Sequence, residues 1–243
     1  MILHIPHSST RLPEDFTVSD ETDLQQELRR MTDWFTDELF DVDEATKIIF
    51  PYSRLYCDVE RFREDEDEFM AKKGMGVCYV TNSFGKKLRD VTENEKELIK
   101  SNFYDKHHAD FLCSVENELR LNAKALIVDC HSFSNEVLPH EESTQRPDFC
   151  IGVDDFHTPK KLIEIVGQYL KDEGFSVAIN QPFEGTIVPL KFYGKEKKVT
   201  SLMIEINRKL YLDDSFQKNK NFKRIKNTMT NLLNLIKERH EQF

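Results

Sequence analysis

Two histidines, His7 and His131, each close a short apolar run: Met1-Ile2-Leu3-His4-Ile5-Pro6-His7 and Ala125-Leu126-Ile127-Val128-Asp129-Cys130-His131. In an open α/β sheet, ligands collect at the carboxyl ends of strands, so imidazoles at two such ends can converge on one metal ion. Two imidazoles do not complete a catalytic zinc site, which takes three protein ligands and keeps a fourth position for water or substrate. Asp33, in Met31-Thr32-Asp33-Trp34, is the first candidate for the third ligand. It falls on the otherwise apolar face of a helical pattern, where an unpaired charge is costly. Pairing with an Arg or capping a loop is its competing role. Glu205 lies inside the apolar run Leu202-Met203-Ile204-Glu205-Ile206, placed to take a proton from an activated water and return it to a leaving nitrogen. A structural ion pair with Arg208 or a Lys is the alternative. Arg54 and Arg61 bracket residues 55–60. A guanidinium there can clamp a carboxylate with two parallel bonds or stabilise an oxyanion, although ion pairs with the acids at 64–68 would also occupy it. For Arg63 the ion pair is the preferred role. These residue types point to a mononuclear metal hydrolase.

The elements that must hold these groups alternate between strand and helix. Strands are expected at 1–5, 47–51, 74–79, 124–130, 149–153, 176–179 and 201–206. The run 124–130 carries charge only at its ends, as a strand buried on both faces does. Helical spacing covers 20–40, 92–122, 158–173 and 216–239. The second of these opens on the capping box Thr92-Glu93-Asn94-Glu95, and Gly174 stops the third. Residues 52–69, rich in aromatics, Arg and acids, read as a loop folded against a polar site, and Asn82-Ser83-Phe84-Gly85 as a turn. There is no internal repeat and no linker-like stretch. The pattern predicts one α/β domain over 1–243, with a mixed, mostly parallel central sheet flanked by helices.

A chain of 243 residues can bury a core without disulfides or metal staples. Its net charge of -10 argues against general nucleic-acid binding, which needs concentrated Lys and Arg. No apolar stretch approaches the roughly 20 residues of a membrane span, and the N-terminus lacks the basic segment of a secretion signal. A soluble cytoplasmic protein is expected. Cys57, Cys78, Cys113, Cys130 and Cys150 are odd in number and lack close pairing, which suits a reducing compartment. Cys130, beside His131, reads as a packed thiol rather than a nucleophile. His107 and His108 read as imidazoles on a helix surface, with His108 the better candidate to support a site, since adjacent helical positions point about 100° apart. His4, His140, His157 and His240 have no constellation around them and are given no role.

Taken together, Ile5-Pro6-His7-Ser8-Ser9, Thr32-Asp33-Trp34, the segment 53–61, Asp129-Cys130-His131-Ser132, Asn180-Gln181-Pro182-Phe183-Glu184-Gly185 and the segment 205–211 resemble the N-formylglutamate amidohydrolases, also called deformylases, relatives of the zinc carboxypeptidases and aspartoacylase-like enzymes. The resemblance implies a zinc-dependent exopeptidase-like fold. It implies Zn2+ on His7, His131 and Asp33, Glu205 as the base, Arg54 polarising the scissile carbonyl and Arg61 holding a substrate carboxylate. It also implies that Asn180, Gly185, Asn207 and Arg208 shape the substrate end. Glu60 stands where such families commonly have Asn, and Thr186 where a second Gly is usual. The expected activity is hydrolysis of an amide in a small carboxylate-bearing N-acyl amino acid such as N-formylglutamate. A peptidase or amidase on peptide or cell-wall-like substrates is the enzymatic alternative, and a non-catalytic metal-binding or small-molecule-binding protein the alternative of another class. Oligomeric state has no signature in these residues.

Overall fold

The computed structural model describes residues 1–139 and 143–240, and His140 lies outside them. Its centre is a pair of parallel nine-residue strands, β3 (Ala125–Phe133) and β6 (Val199–Asn207), buried along their whole length. On one side, β1 (Ile2–Ile5) pairs parallel with β3, and β2 (Thr46–Ile49) pairs parallel with β1. On the other side, β4 (Phe149–Gly152) runs antiparallel to β6, and β5 (Val177–Ile179) runs parallel to β4. The six-stranded order β2-β1-β3-β6-β4-β5 is the mixed, mostly parallel sheet that the alternating pattern predicts.

Helices cover both faces, which is why the central strands are apolar on both sides. On one face, α5 (Lys160–Asp172), α6 (Phe222–Arg239) and the short α2 (Thr36–Leu39) pack Leu162, Val166, Leu39, Ile225, Leu232 and Leu233 against Leu126, Val128, Leu202 and Ile204. On the other, α4 (Asp105–Asn122) lays Phe111 and Val115 on Ile2, Ala125, Ile127 and Val199. The strand period of two then carries the face under α4 from apolar to polar: Ala125 and Ile127 are followed on β3 by Asp129 and His131. Register completes the arrangement, with His131 opposite Glu205 and His4 opposite Asp129.

Three local expectations are corrected. The helical pattern of 20–40 forms α1 (Leu24–Met31) and α2 with a break between them, where Thr32 is extended and Phe35 is left-handed at φ 60°. The Asp33 N–H leaves the helical ladder and donates to the His7 carbonyl at 2.9 Å. Asp33 therefore sits in a helix break docked on the end of β1, not on a helix face. Residues 74–79 form no strand: Met75, Val77, Cys78 and Tyr79 are apolar because they lie buried beneath the 53–61 loop. The C-terminal helix begins at Phe222 rather than 216, after Phe216 turns left-handed. The 92–122 helix is present as α3 (Glu93–Ile99), a π turn (Lys100–Tyr104) and α4, with both bonds of the Thr92/Glu95 capping box.

Candidate active site

The site lies at the carboxyl ends of β1, β3 and β6, where three irregular segments meet them. Pro6 ends β1, so His7 enters a loop. The α1–α2 break presents Asp33, and the segment 53–61 folds over the top. That segment is pinned at its start by Ser53 N–H donating to the Arg11 carbonyl at 2.8 Å, and at its centre by Asp58 N–H donating to the Val77 carbonyl at 2.8 Å.

The two imidazoles are held in the same manner. The Nε2 of His7 lies 2.8 Å from Asp58 Oδ1, while its buried Nδ1 has no hydrogen-bond partner. That nitrogen faces Asp33 Oδ2 at 3.7 Å and Glu60 Oε2 at 3.6 Å. The Nε2 of His131 lies 3.1 Å from Asp129 Oδ1 and 3.1 Å from Glu60 Oε1, and its Nδ1 lies 2.9 Å from Asp33 Oδ2. Each ring thus has one nitrogen anchored to an aspartate on a supporting segment and the other turned toward Asp33. A carboxylate behind a metal-binding imidazole is the usual means of fixing its tautomer and orientation. The orphaned His7 Nδ1 and the facing imidazoles suit a divalent cation, with Asp33 Oδ2 beside both rings and its Oδ1 taken up by Arg208. Glu60 is a further carboxylate at the same place: His7, Glu60 and His131 offer ligand atoms that all lie within 4.8 Å of one another.

Charge surrounds these groups. Burial works against the ionised Asp33 carboxyl, but His131, His7 and Arg208 outweigh it and hold it below its ordinary range. Asp58 is likewise kept well below that range, against its burial, by Arg54, His7 and Arg61. It takes two bonds from Arg54 at 2.7 and 3.1 Å and one from the Tyr79 hydroxyl at 2.7 Å. Glu205 behaves oppositely. Burial, with Asp33 and Glu60 nearby, outweighs His131 and Arg208 and lifts its pKa to about 8, and its buried Oε2 has no hydrogen-bond partner. A carboxylate that is reluctant to ionise and free at one oxygen is suited to proton transfer.

A cavity of about 580 Å³ opens from this cluster, lined by His7, Asp33, Arg54, Arg61, His131 and Glu205 among others. The structure divides the substrate-end candidates. Arg61 lines the cavity, with Nη2 at 3.3 Å from the Tyr79 hydroxyl and Nε at 3.4 Å from Asp58 Oδ2. Asn180 lines it too, and its side-chain oxygen holds the following loop by accepting from Val153 N–H at 2.8 Å and Gly185 N–H at 3.4 Å. Gly185, left-handed at φ 82°, borders a second chamber of about 720 Å³ that shares Arg54, Glu60, Arg61 and Asn180 with the first. Arg208 borders the first cavity, but its guanidinium is engaged by Asp33, Ser132 and the Arg30 carbonyl. These bonds hold its guanidinium against Asp33. Asn207 is a correction: it is buried and bonds Asn135 and the Pro147 carbonyl, away from the cavity lining. Arg63 makes the expected ion pairs with Glu64, Glu97 and Asp105. Cys130 is a packed thiol whose pKa burial pushes well up.

Several members of this cluster escape sequence reasoning. His4 bonds Asp129 at 2.9 Å and His107 at 2.9 Å. His107 and His108 are not surface imidazoles: His107 is buried against His4, and His108 Nε2 lies 2.7 Å from the Val59 carbonyl. The spacing of Asp129 and His131, two apart on one strand face, is a signal that could have found Asp129. Asp58 and Tyr79 meet only through the tertiary fold and left no such signal. His157 is buried in a structural role, bonded to the Val199 carbonyl and to Gly194 N–H. Among the described residues no helix is long and apolar enough to cross a membrane.

A family model described as N-formylglutamate amidohydrolase matches residues 1–212. The N-formylglutamate deformylase of Pseudomonas aeruginosa is 25% identical over 228 residues, covering 88% of this chain and 82% of that protein. The crystal structure of N-formylglutamate amidohydrolase from Ralstonia eutropha superimposes with a TM-score of 0.82 at 21% identity, over 100% of this chain and 94% of that one. A gene product of Agrobacterium tumefaciens superimposes with a TM-score of 0.66 at 18% identity, over 98% and 91% of the two chains. The match over residues 1–212 spans every site residue described above, from His4 to Arg208, and by it this chain belongs to the N-formylglutamate amidohydrolase family.

Proposed function

We propose that this protein hydrolyses the amide bond of a small N-acyl amino acid such as N-formylglutamate, with Zn2+ held by His7, Asp33 and His131. The observation that carries the reading is the pair of aspartate-backed imidazoles turned toward Asp33, with Glu205 across the strand pair and two arginines on the cavity wall. Bound zinc supplies Lewis acidity, polarising a carbonyl oxygen and lowering the pKa of water at the site to about 7.

The chain's own groups do the rest. Glu205 accepts a proton from the attacking water at its free oxygen and delivers it to the leaving nitrogen, the step that makes an amine a competent leaving group. Arg54, fixed by two bonds to Asp58, presents fixed positive charge to the oxygen that becomes anionic. Arg61 orients the substrate through its carboxylate, a geometry that a guanidinium matches with two parallel bonds. Residues 180–184 line the same cavity. Family membership supports the formyl amide as the bond cleaved. The test is a panel of N-acyl amino acids and short peptides incubated with zinc-loaded protein. Turnover of N-formyl-L-glutamate is expected. Activity confined to peptides would replace the substrate, and full zinc occupancy without turnover of any amide would replace the activity.

A further inference from the structure

We propose that His4, Asp129 and Glu60 form a second divalent-cation site, joined to the first through Glu60. It lies on the side of His131 away from Asp33. His4 Nδ1 is 2.9 Å from Asp129 Oδ1 and 3.7 Å from Glu60 Oε1. These three residues offer ligand atoms that all lie within 4.8 Å of one another. The Nε2 of His131 is 3.1 Å from each of the same two oxygens. Donor atoms around a four-coordinate ion with bonds of about 2.0–2.2 Å are separated by roughly 3.3–3.6 Å. The separations between His4 and the two carboxylates bracket that value.

The supporting residues suit a cation as well. The far nitrogen of His4, Nε2, is bonded to His107 Nε2 at 2.9 Å, so the His4 ring is held from behind by a buried imidazole where His7 is held by the Asp58 carboxylate. The other oxygen of Asp129 accepts from Ile187 N–H at 3.2 Å, which fixes the carboxylate plane. Glu60 addresses both sites, with Oε2 toward His7 Nδ1 at 3.6 Å and Oε1 toward His4 and His131. A carboxylate placed between two donor sets in this way is the bridging element of two-metal hydrolytic sites.

A second cation also has a consequence for substrate. Glu60 lines the same cavity as Arg61, and a bare carboxylate there would repel a substrate carboxylate. A cation bound to Glu60 would offset that charge beside Arg61, whose guanidinium shares Asp58 with Arg54. The ion therefore serves specificity for acidic substrates as well as chemistry.

The inference rests on the reading of the first site as a metal site, and the experiment separates the two. Metal-stripped protein is titrated with Zn2+ and bound metal is counted by elemental analysis after gel filtration. The expected result is two ions per chain for wild type, one for His4→Ala, one for His7→Ala, and none for the double variant. One ion in wild type that survives in His4→Ala and is lost in His7→Ala overturns the second site and leaves the first intact. No ion in wild type overturns both. Because His4 is buried and its variant can fail to fold, wild type is also loaded with Mn2+ and followed by electron paramagnetic resonance. A bridged pair weakens the six-line signal as the second equivalent binds. Full-intensity, uncoupled signal at saturation overturns the bridge through Glu60.

Discussion

His7 and His131 differ from ordinary buried imidazoles in what stands behind them. Asp58 and Asp129 occupy one nitrogen of each ring and leave the other turned toward Asp33. Removing either ring takes away a nitrogen donor of the first site, so His7→Ala should lose the zinc ion held there and keep the second, and His131→Ala should likewise lose the first-site ion, as read by elemental analysis. Glu205→Gln should keep zinc content near wild type and lower kcat on the order of 100- to 10,000-fold, the usual worth of a general base. Its raised pKa sets the sign of the pH dependence. The base form is required, so the rate falls as pH drops through the Glu205 pKa, which begins at about 8 without a cation and is drawn lower by one. His7, Asp33, His131, Arg54, Arg61 and Glu205 are legible in the sequence by their residue types, set at the ends of apolar runs or bracketing a polar loop. Asp58, Tyr79 and His4 are not, because a polar residue in a loop or strand shows its partner only after distant segments meet.

The elements explain why those side chains arrive together. A nine-residue register between β3 and β6 fixes His131 opposite Glu205, and one residue of slip would turn either away. The face of β3 under α4 is partly legible, since alternation places Asp129 with His131. The break at Thr32–Phe35 is not, because the apolar spacing of 20–40 continues through it. Tertiary bonding of Asp33 to the end of β1 overrides the local helical preference there. Leu233 on α6, fully buried, locks that helix to the sheet. Leu233→Ala should cost about 2–5 kcal/mol in denaturant unfolding. At the other sheet edge, Asp148 accepts from Ser176 N–H and hydroxyl and pairs with Lys209, tying the starts of β4 and β5 together. Burial opposes its ionisation, but the Ser176 bonds and Lys209 outweigh it and lower the pKa. A group depressed in the folded state adds stability above its unfolded pKa of about 3.9 and loses it as pH falls. Asp148→Asn should therefore cost about 1 kcal/mol at pH 7, modest because the site is partly solvated. The gap from wild type should narrow as pH falls below the ordinary Asp range.

For the molecule as a whole, the candidate site is a junction of segments distant in the chain: the end of β1, the α1–α2 break, the 53–61 loop, β3 and β6. A cation bound by three of them ties the folded state together and has no equivalent site in the unfolded chain. Zinc at about 100 times its dissociation constant should then add roughly 2.7 kcal/mol to the unfolding free energy, read as a rise in Tm that chelation reverses. The sheet class and its flanking helices are legible because strand and helix periods alternate along the chain. The antiparallel placement of β4 is not, since its four apolar residues carry no sign of direction. The most direct test of the whole account measures formate release from N-formyl-L-glutamate by metal-stripped and zinc-reloaded protein. Turnover should disappear on stripping and return with zinc. Equal turnover in the stripped protein, or none at full zinc occupancy, would contradict it.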